Sequence, residues 1–148
     1  MIKNSVILFF GAILMLFISC NHKTHQEESP LAIVIKLISA ESFADIKEAK
    51  KYIDIEKVYA NNVDTLLAEE TWRGQILFSY NISKDKRFTN HFKYYDYNIK
   101  ETQDGKSANV VFEAKSPESI ISAIVYTLTQ YNEAWKVCKI EYVKRKML

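Results

Sequence analysis

FKYYDYNIKETQDGKSANVVFEAK, residues 92–115, is where the chain changes its hydrophobic period. Aromatic and β-branched residues alternate there with polar ones, the two-residue repeat of strands that cover one face. In its middle stands Asp104-Gly105, which favours a tight hairpin turn because glycine takes positive φ without a steric penalty. The stretch therefore reads as two antiparallel strands. Two further runs, IISAIVYTLTQ (120–130) and AWKVCKIEYVK (134–144), share the same composition and alternation. Ser116-Pro117 interrupts the chain before the third strand, since proline cannot donate to a ladder. Tyr131-Asn132-Glu133 marks the second hairpin.

Upstream of residue 92 the period is helical. Ser29-Pro30 supplies a hydroxyl at the N-cap and proline at the first helical position. Leu31, Val34, Ile35 and Ile38 follow at helical spacing, and Lys36 is the only charge before Glu41, so this helix should be deeply packed. SFADIKEAKKYI (42–53) predicts a second, surface-lying helix with Ile46, Ala49, Lys50 and Ile53 on one stripe. Asp54 caps a short turn through IEKVYA (55–60). NNVDTLLAEETWRGQILFSY (61–80) predicts a further helix carrying Leu66, Leu67 and Trp72, with Glu69 and Arg73 four apart in the favourable order and Gly74 weakening its continuity. Helices first and strands afterwards give an α+β domain, with helices packed on one face of an antiparallel sheet of about four strands.

The N-terminus reads as an export signal. Lys3 is followed by an uncharged apolar run over residues 6–18, too short to span a bilayer comfortably. Phe17-Ile18-Ser19-Cys20 resembles the lipobox of bacterial lipoproteins, with Phe17 departing from the usual leucine. That resemblance implies cleavage after a signal peptide of residues 1–19, lipidation of Cys20 with diacylglycerol and palmitate-type chains, a polar tether over 20–29, and a single domain over 30–148. Each buried methylene of such an anchor contributes about 0.8 kcal/mol. It places the protein in the bacterial cell envelope, on the periplasmic or surface face of the outer membrane, with the cytoplasmic membrane as the second choice. The membrane is then the first partner, through the lipid on Cys20.

With Cys20 lipidated, Cys138 is the one thiol left, no internal disulfide forms, and Cys138 is expected to be buried in a strand as a small apolar residue. Only His91 falls within the folded part as a partner for a catalytic thiol. His22 and His25 in the tether lack the three or four convergent ligands that zinc requires. His91 reads as a solvated loop histidine.

Charge and composition exclude several classes. The net charge of +2 gives no broad field for nucleic acid. A hydrophobic fraction of 48% is far from the profile of a disordered chain. Three glycines leave no phosphate-cradling loop, and no nucleophile elbow or carboxylate metal cluster occurs, so no cofactor and no metal are expected. The basic ending VKRKML (143–148) reads as a solvated strand end that lies near anionic lipid if the membrane is close.

PLAIVIKLISAESFADIKEAKKYI (30–53) and YNEAWKVCKIEYV (131–143) resemble the opening helices and closing strand of the NTF2-like, or cystatin-like, α+β cone superfamily, in particular its small exported lipoproteins. The resemblance implies a curved sheet that wraps a helix, with a mouth that holds a small ligand. The long helix through Trp72 departs from the family's usual loops and would fill or reshape that mouth. The superfamily includes ketosteroid isomerase-like enzymes, dehydratases, polyketide cyclases and many binding or assembly domains, so fold does not settle function.

Three functions are compatible with these residues. The leading one is a non-enzymatic binding domain for a small apolar ligand or another envelope protein, with Tyr95, Tyr97 and Trp72 as the aromatic patch. The second is an isomerase- or dehydratase-type enzyme in which Asp96 is the base, Tyr94 shares its strand face, and Tyr126 joins from a later strand. Against it stands the simpler arrangement in which Asp96 faces water and the tyrosines pack as strand aromatics. The third is an immunity or structural role, including a homodimer formed through the sheet.

Overall fold

A computed structural model of the chain describes residues 28–59, 65–84 and 93–145, with the side chains of residues 65 and 66 left aside. The signal peptide, Cys20, most of the tether, His22, His25 and His91 lie outside the described residues. Four helices, α1 (Pro30–Ser42), α2 (Ile46–Ala49), α3 (Ile55–Tyr59) and α4 (Thr65–Ser83), precede four strands, β1 (Tyr97–Asp104), β2 (Ser107–Ala114), β3 (Ile121–Tyr131) and β4 (Ala134–Lys144). The strands pair antiparallel in chain order, an open meander. The α+β architecture read from the change of period is the one observed. Among the described residues no helix is long and apolar enough to cross a membrane.

Both hairpins form where the turn residues place them. Asp104 pairs with Ser107, and Gly105 opens the two-residue loop at φ 55°, a conformation that glycine alone adopts freely. Tyr131 pairs with Ala134 across Asn132 and Glu133, both at positive φ (46° and 67°). That geometry matches the twist of the strands and is tolerated by asparagine, but it strains glutamate. The loop after β2 is held from the far end of β4: Arg145 donates from its side chain to the carbonyls of Ser116 (3.3 Å) and Ser119 (3.2 Å). Part of the basic ending is therefore engaged with its own domain.

The sheet buries one face. Ala108, Val110 and Phe112 of β2 alternate inward, as do Ile124, Tyr126 and Leu128 of β3 and Trp135 and Val137 of β4. The outward positions are polar or β-branched, for example Lys100, which reaches Glu113 at 2.9 Å, and Thr127, which donates to Asn109 at 2.9 Å. This is the one-sided covering typical of antiparallel sheets. The pairing of β3 with β4 slips twice, between Ile121 and Ala123 and between Thr127 and Leu128. Cys138 is the extra residue at the second slip. It is half-buried, not buried as expected, and its thiol donates to the Thr127 carbonyl at 3.3 Å.

Helix α1 lies across the buried face. Its N-terminus is capped by Ser29, whose Oγ accepts from the Ala32 amide at 3.2 Å, and the Leu31 amide donates to the Glu101 carboxylate of β1 at 2.8 Å. Two of the amides that a helix start leaves unpaired are thus satisfied, one by a charge that favours this end of the dipole. The buried stripe is Ile33, Val34, Leu37, Ile38 and Ala40. Deep packing was anticipated; the face is rotated, so Ile35 is exposed and Leu31 only partly buried.

The second helix is shorter than its pattern suggested. Asp45 caps α2, which ends after Ala49, and the chain then turns to bring Ile53 beside β4 as a one-residue parallel bridge to Val137. Asp54 caps α3 as anticipated, accepting from the Lys57 amide at 3.3 Å. Helix α4 runs through Gly74 and inserts Ala68, Trp72 and Ile76 into the core. Leu67, expected to pack, is exposed, and Glu69 pairs with Lys50 at 2.7 Å, an ion pair to the segment after α2.

The two hairpins make opposite predictions from one rule. Gly105→Ala should lower stability by about 1 kcal/mol, and Glu133→Gly should raise it by about 0.5–1 kcal/mol, because a left-handed conformation costs a side-chain-bearing residue roughly that much more than glycine. Urea unfolding of the two variants beside the native chain checks both signs.

Candidate functional site

Between α1, α3 and α4 on one side and the ends of β3 and β4 on the other lies a cleft of about 350 Å³. That is within the range that encloses small ligands. Its wall from the sheet is Ile124 and Tyr126 of β3 with Ile140 and Tyr142 of β4, all on the face that also carries the core. Ile38 and Glu41 enter from the last turns of α1, and Tyr59 from the end of α3. Helix α4 contributes Trp72, Ile76 and Tyr80 at four-residue spacing, with Gln75 and Ser79 between them and Ser83 one turn further on.

Among the described residues Glu41 is the one carboxylate lining this cleft, and no lysine, arginine or histidine among them lines it. It follows Val34, Leu37 and Ile38 on the inward stripe of α1 and is partly buried. The Trp72 indole donates from Nε1 to Glu41 Oε1 at 2.9 Å. Burial holds the Glu41 carboxyl above the ordinary value of 4.5, and the indole hydrogen bond offsets only part of that rise. Burial also raises the phenols around it, Tyr126 most strongly and Tyr59 to about 12, and partial desolvation raises Tyr142, which is itself 62% exposed. The Glu41 carboxylate adds to the rise in all three, since a negative charge disfavours a phenolate nearby. Tyr59 donates to Gln75 Oε1 at 2.5 Å and so ties α3 to α4 at the rim.

The cleft gathers two of the residues singled out from sequence and leaves the others elsewhere. Tyr126 is buried in its wall and Trp72 in its floor. Asp96 and Tyr94 do not share a strand face: Tyr94–Asp96 is a short 3-10 turn ahead of β1. Asp96 is exposed, whereas the Tyr94 ring packs 6.3 Å from Phe112. Tyr126 flanks the same phenylalanine at 5.7 Å, so Tyr94 and Tyr126 meet through a core ring and the proposed base stays outside. The aromatic patch also divides. Tyr95 is exposed, Tyr97 packs edge-on against Phe112 at 6.1 Å, and neither lines the cleft that holds Trp72.

Glu41 was passed over in the sequence, although a signal existed. It is the one acidic residue in register with the apolar stripe Val34, Leu37 and Ile38, a position where a surface helix carries no charge. Among the described residues no group of histidine, cysteine, aspartate and glutamate is placed to hold a metal. Compared with known proteins, the chain matches no family model, no curated protein and no solved structure.

A raised carboxyl has a defined consequence for stability. In the folded state Glu41 ionises at higher pH than in the unfolded chain, so its contribution is fully present below pH 4.5 and is lost as pH rises through its folded value. Glu41→Gln cannot ionise and keeps an acceptor for the Trp72 indole. The difference in Tm between Glu41→Gln and the native chain should therefore shift in favour of the variant between pH 4 and pH 8. Thermal melts across that range check it, and a pH-independent difference would show that Glu41 is not desolvated.

Proposed function

We propose that this protein is a lipid-anchored component of the bacterial cell envelope whose single NTF2-like domain binds a small, largely apolar molecule in the cleft beside Glu41. The observation that carries the reading is the cleft itself: about 350 Å³ lined by isoleucines and aromatic rings together with the polar side chains of Glu41, Ser42, Gln75, Ser79 and Ser83. Such a composition buries an apolar body and orients a polar head. Support for the cone as the finer description comes from α1 across one face of an open antiparallel sheet, and from two slips in the β3–β4 pairing of a kind that bends strands. In this reading helix α4 reshapes the mouth by forming one wall of it.

The anchor belongs to the same proposal. Residues 6–18 and the lipobox-like Phe17-Ile18-Ser19-Cys20 support lipidation of Cys20, after which the tether carries the domain off the membrane surface. A ligand-binding domain held this way samples molecules that cross or leave the envelope. Asp96 is no part of this site, and binding needs no turnover.

Two measurements follow. Cys20→Ser should move the chain from the membrane fraction to the soluble fraction and abolish incorporation of labelled palmitate; an unchanged membrane fraction without label would sink the anchor. A native mass spectrum of the chain purified gently from its bacterial host should carry an added mass that disappears on denaturation. A bare chain there, with no small molecule taken up from an envelope lipid extract, would count against the cleft as a binding site.

A further inference from the structure

We infer that the cleft selects an organic cation, a substituted ammonium group carried on a short apolar body, with Glu41 as its counter-charge and the rings around it as its cage. The inference rests on the cleft being a ligand site, and it adds the chemistry of the head group. Four aromatic side chains from four different elements line the cavity that Glu41 enters: Tyr59 from α3, Trp72 from α4, Tyr126 from β3 and Tyr142 from β4. Aromatic faces attract cations through their quadrupoles, most strongly where water is thinned out, and rings converging from several sides are the usual recognition device for quaternary ammonium groups.

Charge points the same way. Among the described residues, the ionisable groups entering the cleft are Glu41 from α1 and the phenols Tyr59, Tyr80, Tyr126 and Tyr142 from α3, α4, β3 and β4. None of them can be positive, so an anionic head would meet a carboxylate and aromatic rings, with no cationic side chain among the described residues that line the cleft. A cation would instead ionise Glu41 and pair with it. The rim already holds one example of such a contact: the Lys84 ammonium at the end of α4 lies 4.2 Å from the centroid of the Tyr80 ring. That ring is therefore occupied by the chain's own cation and is left out of the cage.

A neutral head would be satisfied by Ser79 or Gln75, but it would leave the carboxylate Oε2 without a charge partner while Oε1 alone receives the Trp72 indole. Partly burying a carboxylate in a cleft lined by aromatic side chains, with no basic side chain among the described lining residues, is costly unless the ligand supplies the positive charge. This distinguishes the site from a pocket built only for apolar molecules.

The test uses three water-soluble probes of one shape: choline, its uncharged carbon counterpart 3,3-dimethylbutan-1-ol, and the anion 3,3-dimethylbutanoate. Each is titrated into the full chain, with the indole N–H resonance of Trp72 followed by NMR and assigned with Trp135→Phe. Choline should bind at least tenfold tighter than the alcohol, and the anion should not bind. Because choline keeps its charge at all working pH values, its affinity should rise from pH 4 to pH 8 as Glu41 ionises and the phenols stay neutral. Glu41→Gln should remove both the preference and the pH dependence while the alcohol still binds; Glu41→Asp, which retains the charge, should keep a reduced preference and serves if the amide variant misfolds. Equal binding of choline and alcohol overturns the cation but leaves an apolar site standing. Failure of all three probes to shift the resonance overturns the cation and the cleft together.

Discussion

Two backbone hydrogen bonds at the edge of the sheet decide how the helical half meets the strands. The Val137 amide donates to the Tyr52 carbonyl and the Val137 carbonyl accepts from the Asp54 amide, each at 2.8 Å. An edge strand presents unpaired backbone groups that must be covered or left to find another chain. Here the turn between α2 and α3 covers those of β4 at the point where the ladder slips beside Cys138. Because Ile53 is clamped there, α3 starts at a set height on β4, and Tyr59 arrives at the rim of the cleft, where it bonds Gln75 of α4. The cleft wall is thus positioned from the main chain, with little left to side-chain adjustment.

At the other end of the domain a charge performs the corresponding task. Glu101 of β1 receives the first free amide of α1, and the C-terminal turns of the same helix bring Glu41 to the wall made by β3 and β4. A helix pinned at its start by one carboxylate therefore delivers a second to the cleft. The two acids differ in their surroundings: Glu101 is exposed on an edge strand, whereas Glu41 is partly buried in a cleft lined by an indole and phenols. Burial, and not residue type, makes one structural and the other chemically distinctive.

Much of the fold was legible because strand and turn signals are local. Asp104-Gly105 and Asn132-Glu133 sit at the hairpin loops, Ser29, Pro30 and Asp54 sit at helix starts, and the period changes a few residues ahead of the sheet, which begins at Tyr97. The face of α1 was not legible for the opposite reason. LAIVIKLI is apolar on nearly every side, so its periodicity does not choose between Ile35, which is exposed, and Leu37, which is fully buried. That ambiguity also hid Glu41, which falls in line with the true stripe. Tyr94 and Asp96 failed as a pair because the alternation read from Phe92 runs through the 3-10 turn Tyr94–Asp96 before β1 begins at Tyr97.

What the sequence by itself determined is the α+β order, the four strands and the two hairpin turns, since each depends on residues near one another in the chain. The tertiary structure decided which aromatic residues share a cavity. Tyr59, Trp72, Tyr126 and Tyr142 come from four elements, and Glu41 joins them from a fifth. No spacing along the chain encodes that convergence; it arises when α1 crosses the sheet and the Val137 clamp sets α3. The same burial that brings the rings together strips water from Glu41, and a property of a single carboxyl thereby becomes a property of the fold.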